Sequence, residues 1–287
     1  MIAKRNNQAR WKKRFFFILK GIILAIVLFL TLFPICWLVK TSISPTEDIQ
    51  SGMIFHITNI NFAHYKQLFV EKGFDTALKN SLINAFSALV LSLSFGLATA
   101  YILARKRFRF GMRKPITFWI FLVRILPPVA FVVPLYTLFI KLGLMGGRMP
   151  VILSCILINL PLIIWFMASF FEELPEAIEE GGKIDGANEW QLFSKVVLPL
   201  VLPGIAAIAM LSFMYAWNEY TYSVILTRSP ENYTIPLALS VLNTEDNVTN
   251  FGLVSAGGVI SFIPIFIFVV FAQNYLISGL SSGAVKE

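Results

Sequence analysis

Six long apolar runs limit how this chain can fold more than any other feature of its sequence. Hydrophobic residues make up 57% of its 287 residues and charged residues only 14%, and an apolar run of about 18 residues can cross a bilayer as a helix. Because a helix satisfies its own backbone polar groups inside lipid, the predicted fold class is an all-α integral membrane protein with six transmembrane helices. The predicted spans are Phe17–Val39, Lys79–Ala104, Pro115–Ile140, Met149–Phe171, Gly204–Leu226 and Val254–Leu280.

The first run could be mistaken for a secretory signal, but its apolar core is too long and no small-residue cleavage pattern follows it. We therefore expect it to be retained as a span. The predicted organisation is a basic tail at 1–16, a six-helix transmembrane domain at 17–280 that contains a long loop at 172–203, and a short tail at 281–287.

Positive residues predict the orientation, because loops that stay on the cytoplasmic side carry an excess of Lys and Arg. Half of the 24 basic residues lie before the first span or between spans two and three. Both termini and the loop at 172–203 are therefore predicted to be cytoplasmic. The net charge of +8 is explained by this topology, so it gives no reason to expect a nucleic-acid partner. These twelve residues are Lys4, Arg5, Arg10, Lys12, Lys13, Arg14, Arg105, Lys106, Arg107, Arg109, Arg113 and Lys114.

The sequence carries no motif of a soluble catalytic module. It has no phosphate-binding G-x-x-x-x-G-K-[ST], no H-E-x-x-H and no G-x-S-x-G. Cys36 and Cys155 lie inside predicted spans, and His56 and His64 are too far from other ligand types to predict a metal site. We expect a protein that is not an enzyme, that holds no metal, and whose energy is supplied by another protein.

The loop at 172–203 holds seven of the 16 acidic residues. Pro175 is predicted to end the fourth helix, Gly186 to reverse the chain and Asn188 to cap a second helix, which Pro199 and Pro203 end. The sequence thus predicts a helix, a glycine turn and a helix. The seven acidic residues are Glu172, Glu173, Glu176, Glu179, Glu180, Asp185 and Glu189.

An exposed helical hairpin with apolar and acidic side chains suits docking into a basic groove on another protein. The alternative is a solvated loop whose acids simply stay out of lipid. The side chains predicted to make these contacts are Ile178, Glu179, Glu180, Asp185, Ala187, Trp190 and Phe193.

This segment resembles the signature loop in permease subunits of binding-protein-dependent ABC importers. The family pattern is Glu-Ala-Ala, three residues, Gly, nine residues and Ile-x-Leu-Pro. Here it reads Glu180-Gly181-Gly182, three residues, Gly186, nine residues and Val196-Val197-Leu198-Pro199. Glycines at both alanine positions predict a more flexible helix.

Three further stretches resemble the carbohydrate-uptake subgroup, which includes the smaller permease subunit of the maltose transporter. They are "KIDGA" at Lys183–Ala187, "WNEY" at Trp217–Tyr220 and "GLSSGAVKE" at Gly279–Glu287. The resemblance implies the type I ABC importer permease fold, with a cytoplasmic coupling helix in the loop at 172–203.

The resemblance also implies a mechanism and an assembly. The complex is expected to lie in the bacterial inner membrane and to contact its lipid. A second permease subunit completes the pore, two ATPase subunits bind ATP and Mg²⁺, and an external binding protein delivers a sugar or oligosaccharide for alternating access. This chain itself binds no cofactor. The implied ATPase-coupling residues are Glu179, Glu180, Gly181, Gly182, Ile184, Asp185, Gly186, Ala187, Leu198 and Pro199, and the implied tail between the ATPases is Gly283, Ala284, Val285 and Lys286.

Two regions inside the spans are candidates for the translocation path. Arg124 is a charge that should face protein or water, or else extend to the headgroups. Trp217, Asn218, Glu219 and Tyr220 offer the hydrogen bonds and ring faces that sugars take, although Glu219 could instead tie neighbouring helices together. Pro127, Pro128 and Pro134 are predicted to break the third span and Pro264 the sixth.

Other functions are left open at this point. Closely similar permeases carry other solutes, such as glycerol phosphate or a polyol. An ion-coupled transporter would show ionisable residues near the midplane and an inverted repeat, whereas only Arg124 and Glu219 are available and no repeat is visible. An enzyme acting on lipid-linked sugars would need clustered carboxylates or metal ligands in an external loop, and none form a recognised arrangement.

Overall fold

The computed structural model describes residues 2–50, 59–105, 113–242 and 250–283, apart from the side chains of residues 2–12, 113, 114, 117, 121, 124 and 274–283. Within those ranges the chain is helical, as predicted, with one isolated backbone bridge between Gly146 and Thr227. The helices are α1 Ile2–Ile43, α2 Thr46–Gln50, α3 Ala63–Val70, α4 Phe74–Ala104, α5 Arg113–Ile125, α6 Val132–Lys141, α7 Met149–Glu173, α8 Glu176–Ile184, α9 Glu189–Gln191, α10 Leu198–Leu200, α11 Leu202–Trp217, α12 Thr221–Leu226, α13 Ile235–Leu242 and α14 Phe251–Gly283.

Four of the predicted spans are continuous helices, long and apolar enough to cross a membrane. Among the residues whose side chains are described, the qualifying stretches of α1, α4, α7 and α14 have 31, 31, 25 and 23 residues. They confirm the first, second, fourth and sixth predicted spans. Pro264 lies inside α14 without interrupting it, so the predicted break there is wrong. One missing N–H is tolerated in such a helix because its neighbours can satisfy the freed carbonyl.

The third predicted span is interrupted. α5 ends at Ile125, Pro127 is extended with φ −64° and ψ 141°, and a 3₁₀ turn leads into α6. Consecutive prolines explain the break, since Pro128 pushes the residue before it out of the helical region. Pro134 was also predicted to break the span, but it lies in the first turn of α6, where a missing N–H removes no hydrogen bond.

The fifth predicted span is interrupted as well. α11 ends at Trp217, residues 218–220 leave the helix, and the short α12 follows. The helical segment Glu189–Leu200 enters this span through a bend of 81°. We call the end of the molecule that carries residues 172–203 the acidic end.

Helices α4 and α7 run side by side towards the acidic end and form the centre of the bundle. Small buried residues line the contact face of α4, namely Ala85, Ala88, Gly96 and Ala100. A Cβ added to Gly96 would lie 2.6 Å from the Cγ2 of Ile163. Only a residue without a side chain therefore permits this close approach of the two helices.

Helix α1 lies at the edge of the bundle, and its most apolar 18-residue window is 0% buried by the rest of the protein. At the end opposite the acidic end, Leu38 packs 3.4 Å from the position a Cβ of Gly258 would take. His64 bonds through Nε2 to the carbonyl of Ser44 at 3.0 Å and packs against Gly252. This placement supports a structural role for His64; His56 lies outside the described residues.

Candidate docking and translocation sites

The acidic hairpin, residues 174–200, begins with the helix, turn and helix that the sequence predicts. Leu174 leaves the helical conformation with ψ 127° before Pro175, so α7 ends there. α8 then runs to Ile184. Gly186 has φ +81°, a left-handed conformation that glycine adopts without strain, and it ends the helix as expected.

Asn188 caps the second helix, as predicted. Its side-chain oxygen accepts from the N–H of Gln191 at 2.8 Å, and the Gln191 side chain accepts from the N–H of Asn188 at 3.0 Å. This capping box satisfies two N–H groups at once. The helix then widens into a π-helical turn and continues as α10 through Pro199, so the predicted end at Pro199 is wrong. It bends between Leu200 and Pro203.

The two glycines of the signature differ in their surroundings. α8 is continuous through both. A Cβ at Gly181 would meet nothing within 4 Å, whereas one at Gly182 would lie 2.8 Å from the Cδ1 of Leu192. Gly182 thus lies at a point of close approach between α8 and the helix that follows. The greater flexibility of this helix stays a prediction.

Glu179 faces inward, which differs from the expected contact with another protein. It is 5% exposed and forms an ion pair with Arg105 at the end of α4. The Tyr101 hydroxyl donates to its Oε2 at 3.1 Å, and Arg105 Nη1 donates to the carbonyl of Leu174 at 3.4 Å. Glu179 therefore anchors the acidic hairpin to α4, and it is not part of the exposed surface.

Phe193 was also expected to contact another protein, but it faces inward. It is 9% exposed, and its ring centroid lies 5.0 Å from that of Tyr101. The exposed side of the acidic hairpin instead carries two large apolar side chains, Ile184 at 86% and Trp190 at 71% exposure. Because the two lie on one short helical hairpin together with exposed acidic side chains, this side of the hairpin is the candidate interaction surface. Also exposed are Glu180, Gly181, Asp185, Gly186 and Pro199, while Ile178, Ala187 and Leu198 are half-buried.

The "WNEY" segment occupies the break between α11 and α12. Trp217 is buried and stacks on Phe213 with ring centroids 5.7 Å apart. Asn218 and Tyr220 are exposed, and the Tyr220 hydroxyl lies 3.1 Å from the hydroxyl oxygen of Ser240. Of the four predicted substrate contacts in this segment, two therefore face outward from the packed core and two face into it.

Glu219 is buried and caps α12. Its Oε1 accepts from the N–H of Tyr222 at 2.6 Å, and its Oε2 accepts from the N–H and hydroxyl of Ser223 at 3.0 and 3.2 Å. A carboxylate at this position also interacts favourably with the helix dipole. Both of its oxygens are thus occupied within the chain, which supports the structural alternative for Glu219.

The two interrupted spans meet at one cleft of about 510 Å³. Pro128, Tyr215, Asn218 and Tyr220 contribute to its lining. The hydroxyl of Tyr222 donates to the carbonyl of Pro128 at 2.8 Å, which joins the break in the third span to the break in the fifth. Irregular backbone at membrane depth is typical of cavity walls, so this cleft is the candidate translocation site.

The remaining predicted residues lie outside this description. The backbone of Arg124 belongs to α5, but its side chain is outside the described part. Gly283 is the last residue of α14, and Ala284, Val285 and Lys286 lie outside the described residues. Their predicted roles stay predictions.

Residues 95–282, which include the acidic hairpin and the cleft, match the family model described as "Binding-protein-dependent transport system inner membrane component". The chain belongs to this family. The permease interpretation drawn from the sequence is thereby confirmed, and the protein is a transport component rather than an enzyme.

Two curated permeases illustrate the relationship. The trehalose transport system permease protein SugB of Mycobacterium tuberculosis is 33% identical over 89% of this chain and 92% of its own length. The diacetylchitobiose uptake system permease protein DasC of Streptomyces coelicolor is 34% identical over 91% of this chain and 95% of its own. Both alignments cover the acidic hairpin and the cleft because they span most of each chain.

A solved permease shares the fold. In the crystal structure of a bacterial ABC transporter that imports the acidic polysaccharide alginate, one chain superposes with a TM-score of 0.79 and 28% identity, over 92% of this chain and 97% of that one. The type I permease fold is therefore shown for this binding-protein-dependent permease.

Sequence reasoning missed two residues of the acidic end. Arg105 was counted only among the charges that set topology, and Tyr101 was not singled out. The available signal was the position of Arg105 directly after a long apolar helix, where a buried partner becomes possible. Its partner Glu179 is 74 residues away, and no local pattern connects the two.

Proposed function

We propose that this permease carries a sugar or oligosaccharide through the bacterial inner membrane, driven by ATP hydrolysis in separate subunits. The relatives named for trehalose and for diacetylchitobiose transport support a saccharide substrate. The binding-protein-dependent family supports delivery of the solute by an external receptor. The assembly comprises this chain, a second permease subunit and two ATPase subunits, which hold the ATP and Mg²⁺.

The observation that carries the proposal is the exposed surface of the acidic hairpin. Ile184 and Trp190 project apolar side chains, and Glu180 and Asp185 add negative charge next to them. A groove with a basic rim and an apolar floor is the matching surface on an ATPase subunit. The buried ion pair of Glu179 and Arg105 fixes the opposite, inward-facing side of the hairpin to α4.

The cleft between the interrupted spans supplies this chain's part of the path. Asn218 and Tyr220 can exchange hydrogen bonds with sugar hydroxyls, and the rings of Tyr215 and Tyr220 offer faces for pyranose stacking. Because two breaks share the cleft, a small rotation of the helices on either side changes its opening. This arrangement supports alternating access by rigid-body movement.

The basic residues in the N-terminal part of α1 and after α4 support an orientation with both termini and the acidic hairpin in the cytoplasm. In this orientation the ATPases bind on the cytoplasmic side of the membrane and the receptor binds on the external side. The tail at Gly283–Lys286 then lies between the two ATPase subunits.

Affinity purification tests the docking surface. A tag on this chain should recover the ATPase subunits from bacterial membranes, and Ile184→Ala combined with Trp190→Ala should reduce their recovery by at least about tenfold, since buried apolar anchors dominate such interfaces. Phe62→Ala is a matched control, because Phe62 is 64% exposed at the opposite end. Equal recovery with all three proteins would contradict the assignment.

A binding screen on the cognate external receptor tests the substrate class. Calorimetry with trehalose, diacetylchitobiose and glycerol 3-phosphate as probes should detect binding of a saccharide. Binding of glycerol 3-phosphate alone would overturn the saccharide proposal and leave the ATP-driven permease intact.

A further inference from the structure

The ion pair at the acidic end joins three elements of the chain. Arg105 and Glu179 have side chains that are 9% and 6% exposed. Tyr101 adds a hydrogen bond to Glu179, and Arg105 adds one to the carbonyl of Leu174, where α7 ends. The last turn of α4 is therefore connected both to α8 and to the end of α7. Removing one member of a buried pair leaves an uncompensated charge, so the connection resists separation.

The helix between this contact and the opposite end is continuous. α4 has 31 residues and contains no proline. At 1.5 Å per residue, Asn80 and Arg105 are roughly 37 Å apart along its axis. Gly96, in the second half of the helix, lets α4 pack directly against Ile163 of α7. A helix supported in this way moves as a unit when one of its ends is displaced.

The opposite end of α4 holds a distant segment of the chain, residues 230–235. The buried Asn80 donates from Nδ2 to the carbonyls of Glu231 at 2.8 Å and Tyr233 at 2.9 Å. The hydroxyl of Ser81, also buried, accepts from the N–H of Ile235 at 2.8 Å. We call residues 230–235 the clamped segment. Its position is set by α4, more than 150 residues earlier in the sequence.

We propose that α4 is a strut that carries displacement of the acidic hairpin to the clamped segment on the opposite side of the membrane. Arg105, Tyr101 and Glu179 form its attachment at one end, and Asn80 and Ser81 form it at the other. This inference rests on the proposed function, because an ATPase subunit supplies the displacement. The clamped segment then lies at the surface that meets the solute receptor, and its position reports the nucleotide state below.

A labelling experiment on the complete transporter in nanodiscs tests the strut. Glu231 is exposed, so Glu231→Cys in a chain with Cys36→Ser and Cys155→Ser gives one thiol on the clamped segment. Its reaction rate with a maleimide is measured without nucleotide and after trapping with Mg-ATP and vanadate. We expect trapping to change the rate several-fold. An unchanged rate in this parent chain would overturn the proposal.

Variants at the two ends separate the strut from simple packing. Glu179→Gln at one end, and Asn80→Ala with Ser81→Ala at the other, should abolish the change in labelling rate while vanadate still traps nucleotide. Exchanging the charges, with Arg105→Glu and Glu179→Arg together, should restore the response if the pair acts as a connection. A response that persists in both end variants would overturn the proposal.

Two control variants remove similar groups without touching either attachment. Glu189→Gln breaks the half-exposed pair with Lys183, whose atoms are 3.0 Å apart. Ser94→Ala removes a hydroxyl that bonds to the carbonyl of Val90 in its own helix. Both should keep the response.

Recovery of the ATPase subunits in the same preparations distinguishes the two proposals. If the parent chain recovers no ATPase, the proposed function fails. If the ATPase is recovered and the clamped segment does not respond, only the strut fails. Glu179→Gln could lower ATPase recovery by weakening docking. In that case the variant with Asn80→Ala and Ser81→Ala decides between the outcomes, because both substitutions lie at the end of α4 that is far from the docking surface.

Discussion

Glu179 and Glu219 are both buried acidic residues, yet the chain satisfies them in different ways. Glu179 pairs with the charged Arg105 and with Tyr101, both 70 or more residues away. Glu219 instead accepts hydrogen bonds from Tyr222 and Ser223, which lie three and four residues after it in the sequence. The first arrangement connects separate elements, whereas the second shapes one local turn. A long-range pair can transmit movement, and a local cap fixes the geometry of a site.

The largest effect is expected from Glu179→Ala. It leaves the guanidinium of Arg105 buried without its partner, which should lower the free energy of unfolding by about 3–5 kcal/mol. The neighbouring Glu180→Ala is the matched control and should change it by no more than about 0.5 kcal/mol, because Glu180 is exposed. Thermal unfolding in detergent micelles measures both. Equal losses for the two variants would contradict the inward placement of Glu179.

A smaller and more local effect is expected from Glu219→Ala. Loss of a helix cap costs about 1–2 kcal/mol. Hydrogen exchange should therefore accelerate across Thr221–Leu226 while the acidic hairpin stays protected. Glu219→Gln should cost less, since its amide oxygen still accepts from a backbone N–H. If hydrogen exchange rose equally in the acidic hairpin, Glu219 would not be a purely local cap, and its contrast with the long-range pair of Glu179 would be wrong.

Asn188→Ala tests a local cap that carries no charge. The reciprocal bonds with Gln191 are lost, and we expect a cost of about 1 kcal/mol. Asn218→Ala is the comparison, because Asn218 is exposed and its side chain bonds to the carbonyl of Met214 at the end of its own helix. It should change the unfolding midpoint little while weakening saccharide transport. A larger midpoint shift for Asn218→Ala than for Asn188→Ala would contradict both assignments.

The smallest effects are expected from the two glycines of α8. Gly181→Ala should stabilise the helix by about 0.5–1 kcal/mol, since nothing lies within 4 Å of the new methyl group. Gly182→Ala should gain less or lose stability, because its Cβ would lie 2.8 Å from Leu192 Cδ1 and that side chain must shift. The unfolding midpoint in micelles measures the difference. Equal gains would indicate that α8 and the following helix are packed more loosely than the structure shows.

The spans were predictable because side chains that face lipid must be apolar along their whole length. Breaks were harder to predict. Pro127 and Pro128 interrupt the third span as expected, but Pro134 falls in a first turn and Pro264 inside a continuous helix. A single proline removes one hydrogen bond, and the sequence does not show whether neighbouring helices compensate for it.

The helix, turn and helix of the acidic hairpin was predictable because Pro175, Gly186 and Asn188 act through local backbone chemistry. The direction in which each acidic residue faces was not. Glu179 and Glu180 are adjacent and chemically equivalent in a local pattern, and only the tertiary position of Arg105 decides which of them is buried. Burial of Phe193 depends on Tyr101 in the same way.

The length of α1 has a practical consequence for spectroscopy. Its 42 residues extend over about 63 Å, roughly twice the hydrocarbon thickness of a bilayer. The predicted span begins at Phe17, so the helical residues 2–16 before it continue for roughly 22 Å beyond that point. A fluorophore attached near Ile2 is thus held at a fixed height off the lipid. Quenching of its emission by headgroup-bound acceptors would measure the tilt of the helix from the membrane normal.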